Sequence, residues 1–531
     1  MKKTNRSVPH SALPFLLGML SVVGLYVITH LWQLTFFPVF ADEAIYIRWA
    51  QLILDDWKQY LFFALNDGKT PLFIWMLAAA QSWSTDQLLA GRLVSVLGGG
   101  VQLLATWLIL RQLKLKRLTQ LLGVLLVVVL PFWFTYHRLA VMDGWLTAWL
   151  SLSFWAALNI ADAPPKNRVR WVLLAGVTYG LALWTKLPAL FFGPVFLVVP
   201  FLHKEQKFRL NQLIRLWWPY VASAGVGLLI FATLRLVPGF GQLFSRGQDF
   251  SYTFSEVLAG RWTESFANMV RFTSYFGAYL TWPILVLIFA GLFSARERRR
   301  VGLLILSALV FLIPFVVLGK VVHPRYLLPA ALFLTIAAVT SMESLVDRCR
   351  TAIQHGHVAW VGIAILIALL TGQVFTYAVL FMSTFIFTPD NTPFVPADRQ
   401  QYLEEWSSGH GIIQTVALLD RLTEDHSVAV ATEGRFGTLP DGLLLYFHGQ
   451  DVSNLYIEGT GQYPVKSLPE FFVERAKNFD QALLVANSHR MEISLPSTQL
   501  VAQFCRPNNA PCLQVWDVTL LVKAQPSSHT P

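Results

Sequence analysis

The stretch that decides the reading is "FFPVFADEAIYIRWA", Phe36 to Ala50. A long apolar run ends here, and two adjacent carboxylates, Asp42 and Glu43, follow at once. They are either the solvated start of a helix or working groups at a membrane surface. The rest of the chain decides between the two.

The chain has 531 residues, of which 55% are hydrophobic and 14% charged. A soluble domain carries roughly 25% charged residues. That deficit, with repeated long apolar runs, implies a polytopic α-helical membrane protein. The formal net charge of +10 does not point to nucleic acid. Most clustered Lys and Arg lie in short loops between apolar runs, where the positive-inside rule puts them, and no nucleic-acid-binding motif is present. The first apolar run, of about 24 residues, is too long for a signal peptide core and lacks a small-residue cleavage site. It reads as an uncleaved first span.

Charge parity then sets a topology. Lys2, Lys3 and Arg6 place the N-terminus in the cytoplasm. Spans are expected at about 13–36, 88–110, 118–136 and 144–160. The run Pro71–Gln81 is too short to cross and reads as interfacial or re-entrant, which leaves Lys69 outside. Residues 171–202, broken by "TKLP", read as two short spans with Lys186 at their outer turn. Further spans follow at about 216–236, up to Phe293 after a long outer loop from Pro238 to about Ser274, up to Lys320, up to "ESLVDRCR", and at 358–381. "HKEQKFRLNQLIR" and "SARERRR" mark inner loops. The count is about 11, which places residues 385–531 outside.

The reading divides the chain into a membrane domain, 1–384, and a small soluble extracytoplasmic domain, 385–531. In the second, "QTVALLDRLTED" reads as an amphipathic helix and "SVAVAT", "QALLVAN" and "VWDVTLLVK" as strands, an α/β pattern. "EGRFGTLPDG" reads as a loop, structural or contributing to acceptor recognition. Cys505 and Cys512 fall on the outer side, where oxidation to a local disulfide is permitted, and Cys349 falls inside as a free thiol.

The outer side collects charges close to span ends: Asp42, Glu43, Arg48, Lys69, Arg92, Arg138, Asp143, Lys186, Lys320, His323 and Arg325. Each has a plainer structural reading. Asp42, Glu43 and Asp143 suit helix N-termini, and Lys69 suits a snorkelling anchor. Arg138 and Arg325 suit headgroups or local carboxylates, and His323 a packed imidazole. Together they suggest a polar site at the outer face. Ionisable groups near the bilayer are costly and tend to face a cavity or one another. Cations suit a phosphate, and a carboxylate suits a base that takes a proton from an alcohol.

In order along the chain stand "ADEAIYIRWAQ", "NDGKTPLFIW", "HRLAVMDGWLT", "WTKLPAL" and "HPRYLLPA". With these pieces the chain resembles the multispanning glycosyltransferases of the C-type fold (glycosyltransferase family 39-like), in particular the protein O-mannosyltransferase and lipid A aminoarabinose transferase group. The resemblance covers about residues 10–380. It implies a polyprenyl-phosphate-linked sugar donor and transfer to an acceptor hydroxyl at the outer face of a bacterial-type plasma membrane. It implies Asp42 as catalytic base, Asp143 as a second acidic residue, Lys69 as a donor-phosphate ligand and Arg325 as another. Glu43 matches the motif; Arg138 and Lys186 are further phosphate candidates. The aminoarabinose transferases carry an Arg where Ile45 stands here. They also carry an acidic residue of a metal site where Gly68 stands here. A divalent metal is left open, with His323 the weak candidate. Sugar and acceptor (protein, glycolipid or polysaccharide) stay open.

The chemistry fits the residues as well. A phosphate ester is already a good leaving group, cations stabilise its developing charge, and single displacement inverts the anomeric centre. The competing readings are a lipid-diphosphate-dependent oligosaccharide polymerase or ligase, and a non-enzymatic lipid transporter. The transporter reading expects polar residues at mid-span, whereas here the ionisable groups gather at one face.

Overall fold

The computed structural model describes residues 13–202, 210–294, 296–449 and 453–524. Lys2, Lys3 and Arg6, on which the N-terminal orientation rests, lie outside the described residues, as does most of the basic loop that starts at His203.

The helical part begins with α1 (Leu13–Leu31), α2 (Ala41–Asp55), α3 (Leu72–Gln81) and α4 (Gln87–Gln112). The bent pair α5 (Arg117–Val129) and α6 (Pro131–Arg138) follows, then α7 (Met142–Asp162) and α8 (Pro165–Thr185). Irregular helical turns fill Leu187–Phe192 and Val195–Leu202 before α9 (Leu210–Ala232). The later helices are α10 (Trp262–Phe276), α11 (Trp282–Leu292), α12 (Arg298–Leu318), α13 (Leu328–Gln354) and α14 (Ala359–Phe387).

Among the described residues, seven helical segments are long and apolar enough to cross a membrane, or eight if α5 and α6 form one bent span. The helices α7 and α8, expected as spans, each have 21 residues but fall short of that apolarity. They pack on each other and on α4 and α9. Conversely α1 and α14 expose many leucines and isoleucines, among them Leu16, Leu20, Ile365 and Leu369. Such broad apolar faces on long helices suit lipid contact.

Three details depart from the sequence reading. The first helix stops at Leu31, not near 36. Arg138 donates to the carbonyls of Thr29, Trp32 and Gln33, and Arg92 to those of Leu34, Phe37 and Pro38. Two arginines thus satisfy the carbonyls that a continuing helix would have used. Secondly, α10 is helical where a loop to about Ser274 was expected. It buries Asn268, Phe272, Tyr275 and Phe276 on one face and exposes Phe266, Met269 and Val270 on another. Thirdly, only the first part of "VWDVTLLVK" is a strand.

The C-terminal part holds α15 (Ile412–Asp425), β1 (Val428–Thr432), α16 (Asp441–Phe447), β2 (Leu455–Gly459), α17 (Glu470–Ala476), β3 (Gln481–Asn487), β4 (Leu500–Phe504), β5 (Leu513–Asp517) and α18 (Thr519–Ala524). The sheet order is β2-β1-β3-β5-β4. The first three strands are parallel, and β5 runs antiparallel to both β3 and β4. Strand β5 ends at Asp517 because its carboxylate accepts the Thr519 N–H at 2.9 Å. That local turn starts α18, which continues through Leu520 to Lys523. Cys505 and Cys512 are disulfide-bonded, and Cys349 is a buried free thiol.

One contact sets the start of α2. Glu43 is fully buried and forms a bidentate pair with Arg92, 2.8 Å on each oxygen, with both side chains 0% exposed. Its oxygens also accept the N–H of Phe40 (3.0 Å) and of Ala140 (2.6 Å). Removing one partner of such a pair leaves an uncompensated buried charge. Glu43→Ala should therefore cost about 3–5 kcal/mol. The reading is the unfolding midpoint of the protein in lipid nanodiscs, and a midpoint equal to wild type would show that the pair does not hold this loop.

Candidate active site

The site is built at the first turn of α2. Phe40 is extended (φ −89°, ψ 149°) and pairs with Ser408 as an isolated antiparallel bridge. The Ala41 N–H donates to the Ser407 carbonyl at 2.9 Å. The chain therefore enters the helix at a fixed angle. Glu43 turns inward to Arg92, while Asp42 remains 29% exposed.

Asp42 Oδ2 lies 3.0 Å from Arg325 Nη2. Arg325 sits in the helical turn Pro324–Leu327 that precedes α13. Its guanidinium lies over the rings of Phe40 (5.0 Å) and Tyr326 (5.6 Å). Its Nε and Nη1 are buried with no hydrogen-bond partner. A buried guanidinium with two idle donors is set to take a further anion.

A second pair lies on the same aromatic ring. Lys186 Nζ is 2.7 and 2.9 Å from the two oxygens of Asp143 and 4.6 Å from the centre of the Tyr326 ring. Lys186 holds its place because α8 ends there: its extended backbone (φ −162°, ψ 134°) breaks the helix before Leu187. Asp143 occupies the first turn of α7, where the helix dipole favours a carboxylate. Side-chain exposure is 16% for Lys186 and 3% for Asp143.

Lys69 comes third. It follows Gly68, whose φ of +70° is left-handed and whose Cβ position would lie 3.3 Å from the Leu243 carbonyl. Any side chain there is strained, so a carboxylate in front of Lys69 would require a different backbone. Lys69 Nζ lies 5.3 Å from the centre of the Phe250 ring and has no carboxylate partner among the described residues.

Lys69 and Lys186 line one cavity of about 340 Å³ together with Arg246. Arg246 is ion-paired with Asp67 and, at 3.0 Å, with Asp249. The apolar wall includes Leu187, Phe191, Phe315 and Leu318. Burial opposes ionisation of Asp42, but the charges of Arg325, Lys69 and Lys186 outweigh it and hold its carboxyl below the ordinary carboxylate range. His323 is pushed down to about 3 by burial and by Arg325, so its ring is neutral. The ring lies against the Gln401 side-chain amide.

The structure thus brings together Asp42, Lys69, Asp143, Lys186 and Arg325, with His323 beside them. It does not bring Glu43 or Arg138 there. Glu43 spends both oxygens on Arg92 and backbone N–H groups. Arg138 closes the end of α1 and stacks on Phe134 and Phe385. Lys320 donates to the Gln248 carbonyl, and Arg48 to Gln51. Among the described residues, no group of three or more His, Cys, Asp or Glu side chains is placed to hold a metal ion. Sequence reasoning missed Arg246 and Tyr326. A cation in a loop expected to lie outside, against the positive-inside bias, was the available signal for Arg246; Tyr326 carried none beyond its place in "HPRY".

Residues 68–235 match the family described as dolichyl-phosphate-mannose-protein mannosyltransferase. Among curated proteins, none matches the sequence significantly. Among solved structures, ArnT from Cupriavidus metallidurans in the apo state superposes with a TM-score of 0.55 at 15% identity, covering 97% of this chain and 99% of that one. The same protein bound to undecaprenyl phosphate gives 0.52, at 15% identity over 96% and 98%. The archaeal oligosaccharyltransferase AglB from Archaeoglobus fulgidus, in complex with an inhibitory peptide and a dolichol-phosphate, gives 0.55 at 12% identity over 90% and 70%. By that sequence match over residues 68–235 and by this shared architecture, the chain has the C-type fold and is similar to the membrane glycosyltransferases of the protein O-mannosyltransferase and ArnT group.

Proposed function

We propose that the chain transfers a sugar from a polyprenyl-phosphate donor to an acceptor hydroxyl at the extracytoplasmic membrane face, with inversion, and that Asp42 is the general base. The observation that carries this is the joining of three cations, Lys69, Lys186 and Arg246, to an apolar cavity wall, beside the Asp42–Arg325 pair. An isoprenoid phosphate has that same division between an anionic head and an apolar tail. The structures of ArnT with undecaprenyl phosphate and of AglB with dolichol-phosphate support the donor class.

In the reaction, the acceptor oxygen attacks the anomeric carbon from the face opposite the phosphate. The carbon–oxygen bond to phosphate breaks, and the bonding pair leaves on the phosphate oxygen. The acceptor proton passes to Asp42. Lys69 and Arg246, with Lys186 and the idle donors of Arg325, stabilise the charge that grows on the leaving phosphate. They stand in place before the reaction, so no reorganisation is needed at that moment. Asp143 keeps Lys186 charged and oriented. Glu43 acts through position: it fixes the helix start from which Asp42 projects.

The proposed topology has eleven crossings: α1, α4, the bent pair α5–α6, α7, α8, the turns of 187–202, α9, the 254–292 segment with its interruptions at Gly260 and Thr281, α12, the 324–354 segment and α14. Odd parity puts the two chain ends on opposite sides. α2, α3 and the C-terminal domain then share the outer side.

Three outcomes test this reading. Asp42→Asn should lower the transfer or slow hydrolysis of a polyprenyl-phosphate sugar by roughly 10²–10⁴-fold, the range for a positioned general base; equal release by wild type and variant would remove Asp42 from that role. Arg325→Met removes the cation paired with Asp42, so the Asp42 carboxyl should rise toward its ordinary range. Because the base works only when ionised, activity is lost as pH falls through its pKa. The acid limb of the pH–rate profile should therefore move to higher pH in the variant, and an unmoved limb would show that Asp42 is not the titrating group. Finally, a double-mutant cycle of Asp143→Asn and Lys186→Met, read by thermal unfolding in nanodiscs, should give a coupling of about 0.5–3 kcal/mol, the range for residues in contact. Additive effects would mean that the two do not act as a pair.

A further inference from the structure

The C-terminal sheet presents a surface that the reaction above leaves unused. Strands β2, β1 and β3 are parallel, and the loops at their carboxyl ends are tied together. Glu433, buried after β1, accepts the Asn487 N–H at 2.9 Å, the Asn487 side-chain amide at 2.8 Å and Arg490 Nη1 at 3.0 Å. The Gly434 N–H donates to the Gln462 carbonyl, and the Val465 N–H to the Arg490 carbonyl. The Arg490 guanidinium is therefore fixed. It lies 4.4 Å from the centre of the Trp406 ring and 4.8 Å from that of Tyr463.

These rings are open to solvent: Trp406 is 36% exposed and Tyr463 68%, with Phe436 of the neighbouring loop at 54%. Gly437 is left-handed (φ +124°), and its Cβ position lies 3.1 Å from the Trp406 ring, so the loop backbone comes up against the ring itself. At the same strand ends, Thr432 Oγ1 and Asn487 Oδ1 are buried without a partner, on residues 0% and 1% exposed. Arg435 is exposed and makes no ion pair among the described residues. Open α/β sheets bind ligands beyond the carboxyl ends of their parallel strands, where strand order reverses. Here connections leave β1 toward β2 on one side and reach β3 on the other.

The surface is tied to the active site through the backbone. Trp406 precedes Ser407, whose carbonyl accepts the Ala41 N–H, and Ala41 precedes Asp42. Chain geometry limits the separation of the Trp406 and Asp42 Cα atoms to at most about 15 Å.

We propose that Trp406, Arg490 and Tyr463 form the docking platform for the acceptor, and that the acceptor is an anionic glycan. The inference rests on the transferase reading. The ring surface that Arg490 leaves open on Trp406 and Tyr463 matches the C–H faces of a pyranose ring, while their polar edges can reach its hydroxyls. Glu433 pairs with Arg490, and Glu405 beside Trp406 is set against Arg506, which leaves Arg435 as surplus positive charge for a sugar carboxylate or phosphate. A peptide would be better served by the free edges of β2 or β4, which lie at the two margins of the sheet.

The test uses the full chain in lipid nanodiscs and saturation-transfer NMR with two probes: an unsaturated uronic-acid disaccharide and an uncharged Ala-Ser-Ala tripeptide. Wild type should transfer saturation to the disaccharide ring protons. Trp406→Ala and Tyr463→Ala should each reduce that signal at least fivefold, while Trp406→Phe, which keeps a ring, retains most of it. No disaccharide signal in wild type, a signal unchanged in both Ala variants, or a signal from the tripeptide in its place would each overturn the platform. Hydrolysis of a polyprenyl-phosphate sugar by wild type in the same discs is scored separately. Its absence would sink the transferase reading and leave the disaccharide result to stand or fall by itself.

Discussion

The structure around the site depends on the buried pair Glu43–Arg92. Both side chains are fully enclosed, and every oxygen of Glu43 is used. The guanidinium also takes the carbonyls of Leu34, Phe37 and Pro38, so the turn between α1 and α2 is wrapped around one cation. Burying two charges is expensive, and such a pair is no guarantee of net stability. What it supplies is position. A carboxylate that cannot move fixes the helix start, and its neighbour in sequence, Asp42, is left on a different face with one ion-pair partner.

Beyond that clamp the site is a balance of charge on aromatic surfaces. Asp42 meets Arg325 and Asp143 meets Lys186, with the Tyr326 ring under both cations. Each pair is neutral, so neither alone draws an anion. Lys69 and the idle donors of Arg325 supply the surplus. Arg246 reaches the cavity from a loop that pairs back to Gly319 through Ser251. Groups held in place before substrate arrives are the arrangement that stabilises developing charge most effectively.

The C-terminal part belongs to this arrangement. The segment from Asp398 to Ser408 runs between the helices and the sheet. Asp398 is buried and accepts the hydroxyls of Tyr136 and Tyr279. Gln401 meets His323, Tyr402 packs edge-on to Phe40, and Ser407 and Ser408 pair with Ala41 and Phe40. The N-terminus of α2 is therefore held from two sides, by Arg92 from the helices and by this segment from the domain. α16 packs on α2 as well.

The sequence by itself determined the class of the molecule. Long apolar runs have one stable environment, and a polar C-terminal part with alternating helix and strand patterns has another; neither depends on long-range contacts. It also marked Asp42, Lys69, Asp143, Lys186 and Arg325 as charges out of place, since each sits at the end of an apolar run. Residue chemistry alone could not separate Asp42 from Glu43, or Arg325 from Arg138, because the chemistry of each pair is the same; only the resemblance put Asp42 and Arg325 first. Tertiary structure decided these. On a helix, adjacent residues point about 100° apart, which follows from 3.6 residues per turn, so only one of two neighbouring carboxylates meets Arg325. Arg138 is taken by the carbonyls at the end of α1. Arg246 and Gln401 join the site from 179 and 78 residues away from their partners Asp67 and His323. The end of β5 turned on one carboxylate, Asp517, accepting an N–H two residues on. Local pattern fixes what a residue can do, and only the packed chain fixes which partner it meets.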